Sequence, residues 1–458
     1  MITLKGRYNK DCKIFTDEVD EQTISQIQSI LDQEVSENVP VRIQSDTHFG
    51  SGVCVGFTMP MTKMLNPKHI GVDISCGVLS GSFSTDKKLN LAEIDNQIKK
   101  QVPMGFNVNT ESKIKVFPFN KVQILANRFI VRFNEKFNTD YTAPTYNEKW
   151  LTQKLKDINM DVGKFILSLG SLGGGNHFVE LGKSDTYENK HWITIHCGSR
   201  NFGLKIAEYW SNVANGKVKN VPKEYNDKLR DIIEKLPNKQ DIPNKIQELK
   251  KEFGFGINKE YLTDENMIGY LFDMLFANVY ASTNRNIILN TIKNIINIQS
   301  FGEVIETVHN YIDFNDFIIR KGAISSRIGT KMVIPFNMKK GLLICEGKSN
   351  PDYNFSAPHG SGRKFSRTEA KKRINIKNFK NEMDEAGIYT TSVTKSTCDE
   401  APDAYKDSKM IEKYLKGTAS ILERVKPILN IKDTGKIESW KERKLNKKNQ
   451  DKNQMKHR

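Results

Sequence analysis

Apolar and polar positions alternate along this chain at two periods, and the switches between them mark its elements. Between 19 and 34 the apolar positions recur at helical spacing, which predicts an amphipathic helix. The residues 41–43 predict a short strand that delivers Asp46 and His48 into a loop. Over 70–84, Ile70, Val72, Val78, Leu79 and Phe83 predict strand, tight loop and strand around Asp73 and Cys76. A further strand is predicted over 192–196. From 266 to 296 there is no proline and no glycine after Gly269, and Tyr270, Met274, Ala277, Tyr280 and Ala281 recur at helical intervals. That predicts a long helix whose stripe packs the core, with Asn284 and Arg285 near its middle. No repeat is visible, and no apolar run approaches the ~18 residues needed to span a bilayer.

Strands interleaved with helices predict a mixed α+β fold. Residues with candidate chemistry run from Asp46 to Lys432, so no clean domain cut exists and 1–432 is expected to form one catalytic unit. Within it, 214–298 is expected to be mainly helical, including a lysine-, asparagine- and proline-rich peripheral insertion to about 263. The polar stretch 433–458 is expected to be a flexible basic tail.

Composition narrows the class. The 38% hydrophobic content of the 458 residues is enough for a real core. The N-terminus lacks the apolar stretch of a secretory signal, so a soluble, cytoplasmic protein is expected. Six cysteines without C-x-x-C spacing indicate neither a disulfide framework nor a structural zinc module, and a reducing compartment would leave Cys76 available as a thiolate. The formal charge of +16 points to a polyanionic partner, with nine Lys/Arg against three acids over 434–458. A lysine-rich solvated surface explains the same charge equally well.

Short runs then supply candidate chemistry: Asp46–His48, the Asp73/Cys76 loop, Gly-Gly-Gly-Asn176-His177-Phe178, His196-Cys-Gly-Ser-Arg200, His309-Asn310 and His359-Gly360-Ser361-Gly362-Arg363. Read singly, each residue has a structural explanation, because a lone histidine is more often a hydrogen-bonder and a lone cysteine a small apolar residue. Together, Asp73, Cys76, His177, His196 and His309 offer a carboxylate, a thiol and three imidazoles, a set suited to Mn²⁺, Zn²⁺ or Fe²⁺ rather than to Mg²⁺ or Ca²⁺ alone. Five donors suffice for two ions bridged by Cys76, an arrangement suited to displacement at phosphorus. The glycine loop before His177 offers backbone amides and Asn176 to phosphate, but lacks the Gly-Lys-Ser/Thr ending of a Walker motif. His359, among glycines and beside Arg363, is a candidate phosphate-reacting centre. A buried Glu180 carboxylate would accept from both donors on guanine's Watson–Crick edge and reject adenine.

These motifs, with Asp399-Glu400-Ala401-Pro402, Tyr405-Lys406-Asp407 and Lys426-Pro427 leading to Lys432, resemble those of the RtcB tRNA-splicing ligases over nearly the whole chain outside the tail. The resemblance implies a GTP- and Mn²⁺-dependent RNA ligase, with two Mn²⁺ per site. It would join a 2′,3′-cyclic-phosphate or 3′-phosphate end to a 5′-hydroxyl end through a guanylyl-histidine on His359. By motif it makes Asp73, Cys76, His177, His196 and His309 the metal ligands. Asn176, Phe178, Glu180, Asn310, Asn337, His359, Gly360, Gly362, Tyr405 and Lys432 are implied at the guanylate, Arg200 and Arg363 at RNA phosphates, and Asp46 as a base in the cyclic-phosphate step. RNA is the implied partner, with an archease-type activator beside it. Competing readings are a paralogue that caps 3′-phosphate ends or hydrolyses phosphates with the same metals, and a non-enzymatic RNA-binding protein relying on charge.

Overall fold

A computed structural model of the protein describes residues 1–216 and 260–435, together with scattered positions between 227 and 249. The expected insertion therefore lies largely, and the tail beyond Gly435 wholly, outside the described residues. Helices and strands are mixed throughout, as the interleaved periods predict. Among the described residues the strands form a seven-stranded, a six-stranded and a two-stranded sheet.

The seven-stranded sheet is antiparallel, in the order Lys331–Pro335, Leu342–Gly347, Ala419–Ile431, Phe178–Ser184, Lys190–Cys197, Gly77–Ser84, Val304–Val308. Its register pairs Gly77 with both Cys197 and Val308, and Phe178 with His196. In antiparallel neighbours the start of one strand lies beside the end of the next. Cys76, His177, His196 and His309 therefore gather at one edge of four adjacent strands, although 233 positions separate the first from the last.

The six-stranded sheet runs Ile2–Leu4, Cys12–Ile14, Val41–His48, Val55–Pro60, Ile318–Lys321, Asn310–Asp313. Asp46 and His48 lie on its third strand rather than in a loop after it. Strand alternation places them on one face. The short pair Ala323–Ser325 and Ser356–Pro358 then leads directly into His359.

One other expectation changes. The strand expected to lead into the Asp73/Cys76 loop does not form, whereas the tight loop and the strand after it, Gly77–Ser84, do. In that loop the chain turns, with Ser75 at φ +59°, the Cys76 N–H donating to Asp73 C=O at 3.2 Å and the Ser75 N–H to Asn310 C=O at 2.7 Å. The long helix Asp264–Ile296 forms and packs the core as expected, but with far more than one stripe buried. It is apolar on nearly every side, and such a helix must be covered all round. Phe276 and Tyr280 pack in an aromatic core with Phe117, Phe165 and Phe202, while Ile288, Leu289 and Ile292 cover the seven-stranded sheet.

Candidate functional site

A cavity of about 1030 Å³ opens where the strand ends converge. At its floor the donor atoms form a chain. His177 Nε2 lies 3.0 Å from Asp73 Oδ2 and 3.3 Å from Cys76 Sγ. Cys76 Sγ lies 3.2 Å from His196 Nε2, which is 3.3 Å from His309 Nε2. Cys76 is thus common to two sets, Asp73–Cys76–His177 and Cys76–His196–His309. Donor atoms of Cys76, His177 and His196 all fall within 4.8 Å of one another.

Electrostatics keep the two buried imidazoles His196 and His309 and the Asp73 carboxylate in ligating form, and Cys76 as a thiol that a cation would have to deprotonate. Burial first, and then neighbouring charged groups, holds His196 and His309 well below the ordinary imidazole range, so both rings are neutral. His196 Nδ1 donates to the Asn176 carbonyl at 3.1 Å, which leaves the Nε2 lone pair facing the cluster. Burial and the Asp73 charge push the Cys76 thiol far up. For Asp73 burial alone would raise the carboxyl, but the hydrogen bond and charge of His177 outweigh it and the net shift is downward. The lone pairs of neutral imidazoles that face each other repel unless a proton or cation stands among them, so the donor set fits a divalent metal of intermediate softness.

Glycines permit this closeness. A Cβ on Gly173 would stand 1.8 Å from His177 Nδ1, and one on Gly198 2.1 Å from Asp73 Oδ1.

Beside the cluster stands His359, its ring centroid 4.7 Å from that of His309. Its Nδ1 pairs with Asp46 Oδ2 at 2.7 Å, and the same oxygen accepts the N–H groups of His359 at 3.1 Å and Gly360 at 3.2 Å. With Nδ1–H given to the carboxylate, the Nε2 lone pair is free for a ligand. Asp46 is fully buried beneath the ring. Its Oδ2 is fully engaged by His359 and Gly360.

A second group of residues lines the same cavity. Glu180 Oε2 accepts from Asn430 Nδ2 at 2.9 Å, while Oε1 is buried with no partner among the described residues. Burial raises this carboxyl to about 8, against smaller opposing effects of Asn430 and Lys432. Lys432 Nζ stands 5.3 Å from the Phe178 ring centroid and 3.0 Å from Glu400 Oε2. Glu400 also accepts from Tyr405 Oη at 2.6 Å and from Arg363. Burial would raise Glu400, but Lys432 and Arg363 hold it well below the usual carboxylate range.

The family model described as "tRNA-splicing ligase RtcB" matches residues 34–433. The chain belongs to the RtcB family. Two similar curated proteins are from Escherichia coli: RNA-splicing ligase RtcB of strain K12 and RNA-splicing ligase RtcB1 of strain ATCC 25922, each 27% identical over 80% of this chain and 83% of its own length. The tRNA-splicing ligase RtcB of Nanoarchaeum equitans is 24% identical over 85% of this chain and 87% of its own.

Against the residues expected in this RtcB-family chain, the structure gathers Asp73, Cys76, His196, His309 and His359 on the cavity wall, with His177 behind them against Asp73 and Cys76. Phe178, Glu180, Tyr405 and Lys432 line the same cavity, as do Asn176, Asn337, Gly360 and Gly362. Asn310 reaches the wall too, but its amide is engaged: Nδ2 donates to Asp73 C=O at 3.1 Å and Oδ1 accepts from Gly322 N–H at 3.0 Å. Arg363 is not free either, since it donates to Asp399 C=O at 2.6 Å and pairs with Glu400. Arg200 lies outside the central cavity, tied to Ser171 Oγ at 3.1 Å and Gly105 C=O over the glycine loop.

Several partners carry no local sequence signal. Glu400 sits in a motif yet gives no hint that it pairs with Arg363 and Lys432 and accepts from Tyr405 at once. Asn284 accepts from Gly170 and Ser171 N–H, and Arg285 donates to the Ser75 and Cys197 carbonyls at 3.0 and 2.6 Å. The middle of the long helix thus holds the backbone of the ligating loops. Lys321 donates to Val53 C=O at 2.8 Å from the cavity wall, its amine lowered by burial to about 8. No helix among the described residues is long and apolar enough to cross a membrane.

Proposed function

We propose that this chain is an RNA ligase that joins a 2′,3′-cyclic-phosphate or 3′-phosphate end to a 5′-hydroxyl end, using GTP through His359. The observation that carries the proposal is one arrangement: an imidazole oriented by a buried carboxylate, within 4.7 Å of the ligating cluster and in one cavity with an unsatisfied Glu180. The Nε2 lone pair of His359 attacks the α-phosphorus of GTP; a P–N bond forms and pyrophosphate leaves. Asp46 stabilises the charge that develops on the ring and holds it in the reactive tautomer.

A cyclic end is first hydrolysed to the 3′-phosphate. An oxygen of that phosphate then attacks the guanylyl phosphorus and frees the imidazole, leaving the RNA end activated by GMP. Finally the 5′-hydroxyl oxygen attacks the RNA phosphorus, the phosphodiester forms and GMP departs. Glu180, once ionised, accepts the two guanine donors, and the Phe178 face with Lys432 flanks the base. Two Mn²⁺ ions, when held by Asp73, Cys76, His177, His196 and His309, supply Lewis-acid charge to the phosphates.

The test is incubation with α-labelled GTP and Mn²⁺, then denaturing electrophoresis of wild type and His359→Ala, with sealing of labelled RNA ends assayed in parallel. Acid-labile label on wild type alone, together with sealing, is expected. Label retained by the alanine variant removes His359 as nucleophile. Label without sealing identifies an end-capping enzyme instead.

A further inference from the structure

Phe49 is the feature of the cavity that the proposed chemistry leaves without a task. Its side chain is 56% exposed, yet it lines the same cavity as His359. Single exposed apolar residues are ordinary on protein surfaces. What sets Phe49 apart is how its backbone is held. Gln26 clamps the next residue with both ends of its amide, Nε2 donating to Gly50 C=O at 2.6 Å and Oε1 accepting from Gly50 N–H at 3.2 Å. Just beyond, Lys321 donates to the Ser51 carbonyl and, at 2.8 Å, to that of Val53. The preceding His48 ring is tied back to the Asp46 carbonyl at 3.0 Å. A phenyl ring is thereby presented on a fixed mount, three residues along the chain from the carboxylate that orients the reactive imidazole.

Other rings of the wall are occupied. Lys432 stands over Phe178 and Arg373 over Phe365. No ring or cation covers Phe49 among the described residues. The ring also borders a shallow surface depression beside Ser25, Gln26 and Ser29 of the helix Glu21–Leu31, so it stands where the cavity opens outward. Exposed Lys364 and Arg367 line the cavity as well. Cationic side chains that can follow a phosphate backbone, with an uncovered aromatic face at the exit, make the arrangement that binds single-stranded nucleic acid without reading sequence.

We infer that Phe49 is a stacking platform for a nucleobase of the RNA end being joined. It holds the terminal nucleotides at the mouth of the cavity so that their phosphate meets His359. This rests on the ligase reading above, and it adds a contact with the base to a scheme that otherwise touches only phosphate, hydroxyl and GTP. A stacked ring accepts any base, so the platform is sequence-tolerant.

The experiment places 2-aminopurine at the last nucleotide of the 3′-phosphate strand, and in a second substrate at the first nucleotide of the 5′-hydroxyl strand. Fluorescence is followed on binding to wild type, Phe49→Ala, Phe49→Leu and Phe49→Trp, all with Mn²⁺ and without GTP. Stacking predicts quenching by wild type and Phe49→Trp for at least one strand, absent with Phe49→Ala and Phe49→Leu. RNA affinity of Phe49→Ala should fall roughly 5- to 150-fold, with Phe49→Trp close to wild type. Leucine separates a need for a π face from a need for bulk. A Phe49→Ala protein that quenches and binds within twofold of wild type overturns the inference, as does a Phe49→Leu protein that behaves like wild type. Wild-type labelling from GTP and end sealing, run on the same preparation, distinguish the two failures: their absence strikes the ligase reading itself, whereas their presence beside an indifferent Phe49→Ala strikes the platform alone.

Discussion

The Glu180 carboxyl gives a prediction whose size follows from the structure. Free, it sits at about 8 because burial disfavours the charged form and only Asn430 and Lys432 oppose that effect. At pH 7 it is therefore roughly nine-tenths protonated. Guanine offers two donors to it, which only the carboxylate can accept together. Binding a guanine nucleotide must then expel the proton, at a cost of about 1.4 kcal/mol at pH 7. Affinity should rise about tenfold per pH unit below 7 and level off above about 8. The assay is isothermal titration calorimetry with GDP in a His359→Ala background, in two buffers of different ionisation enthalpy, comparing Glu180 with Glu180→Gln so that phosphate titration cancels. Release of close to one proton is expected at pH 7 with Glu180 in place and is expected to vanish in Glu180→Gln. Equal proton release by both proteins would refute the argument.

Stability gives an independent check of the same carboxyl. Its folded value lies above the unfolded one of 4.5. The folded state then binds more protons between those limits, so stability is lost as pH rises through the window. Glu180→Gln should therefore gain on wild type from pH 5 to pH 8, by about 3 kcal/mol at pH 7. A glutamine also offers one donor and one acceptor, matching adenine's edge, so preference should move from GTP towards ATP.

Three further outcomes are expected. Asp46→Asn should slow self-guanylylation roughly 10²- to 10⁴-fold with KM for GTP little changed, because the ring loses its charged partner at 2.7 Å; a rate within threefold of wild type would remove the orienting role. Gly173→Ala should weaken Mn²⁺ binding at least about tenfold in a competition titration while leaving the circular dichroism unchanged, since its Cβ would need the space of His177 Nδ1. Arg285→Met should cost about 3 kcal/mol in denaturant unfolding, because it leaves the buried Ser75 and Cys197 carbonyls without their donor, and unchanged stability would deny the helix its buttressing role.

Much of the site was legible before any fold was known, since ligating side chains must sit beside residues small enough to let backbone approach. The glycines next to His177, His196 and His359 announce that requirement locally. The mixed fold and the long helix were legible as well, because burial imposes a period on the chain. The strand expected to lead into the Asp73/Cys76 loop was misread for a related reason: Ile70 is buried beside a turn while Val72 is exposed, so the apolar positions there do not line one face of a pleat.

What the amino-acid sequence determined by itself was the kind of chemistry, through a donor set of one thiol, one carboxylate and three imidazoles with a further histidine among glycines. Only the tertiary structure decided which nitrogen of each ring faces the reaction, that Asp46 serves His359 across 313 positions, and that Glu400 neutralises Arg363 and Lys432 together. It also decided that Asn284 and Arg285 hold the ligating loops from inside a helix whose pattern speaks only of packing. The reason is physical. Period and spacing record what a residue does to its own segment, whereas tautomer, charge balance and orientation depend on neighbours supplied by strand register from remote parts of the chain.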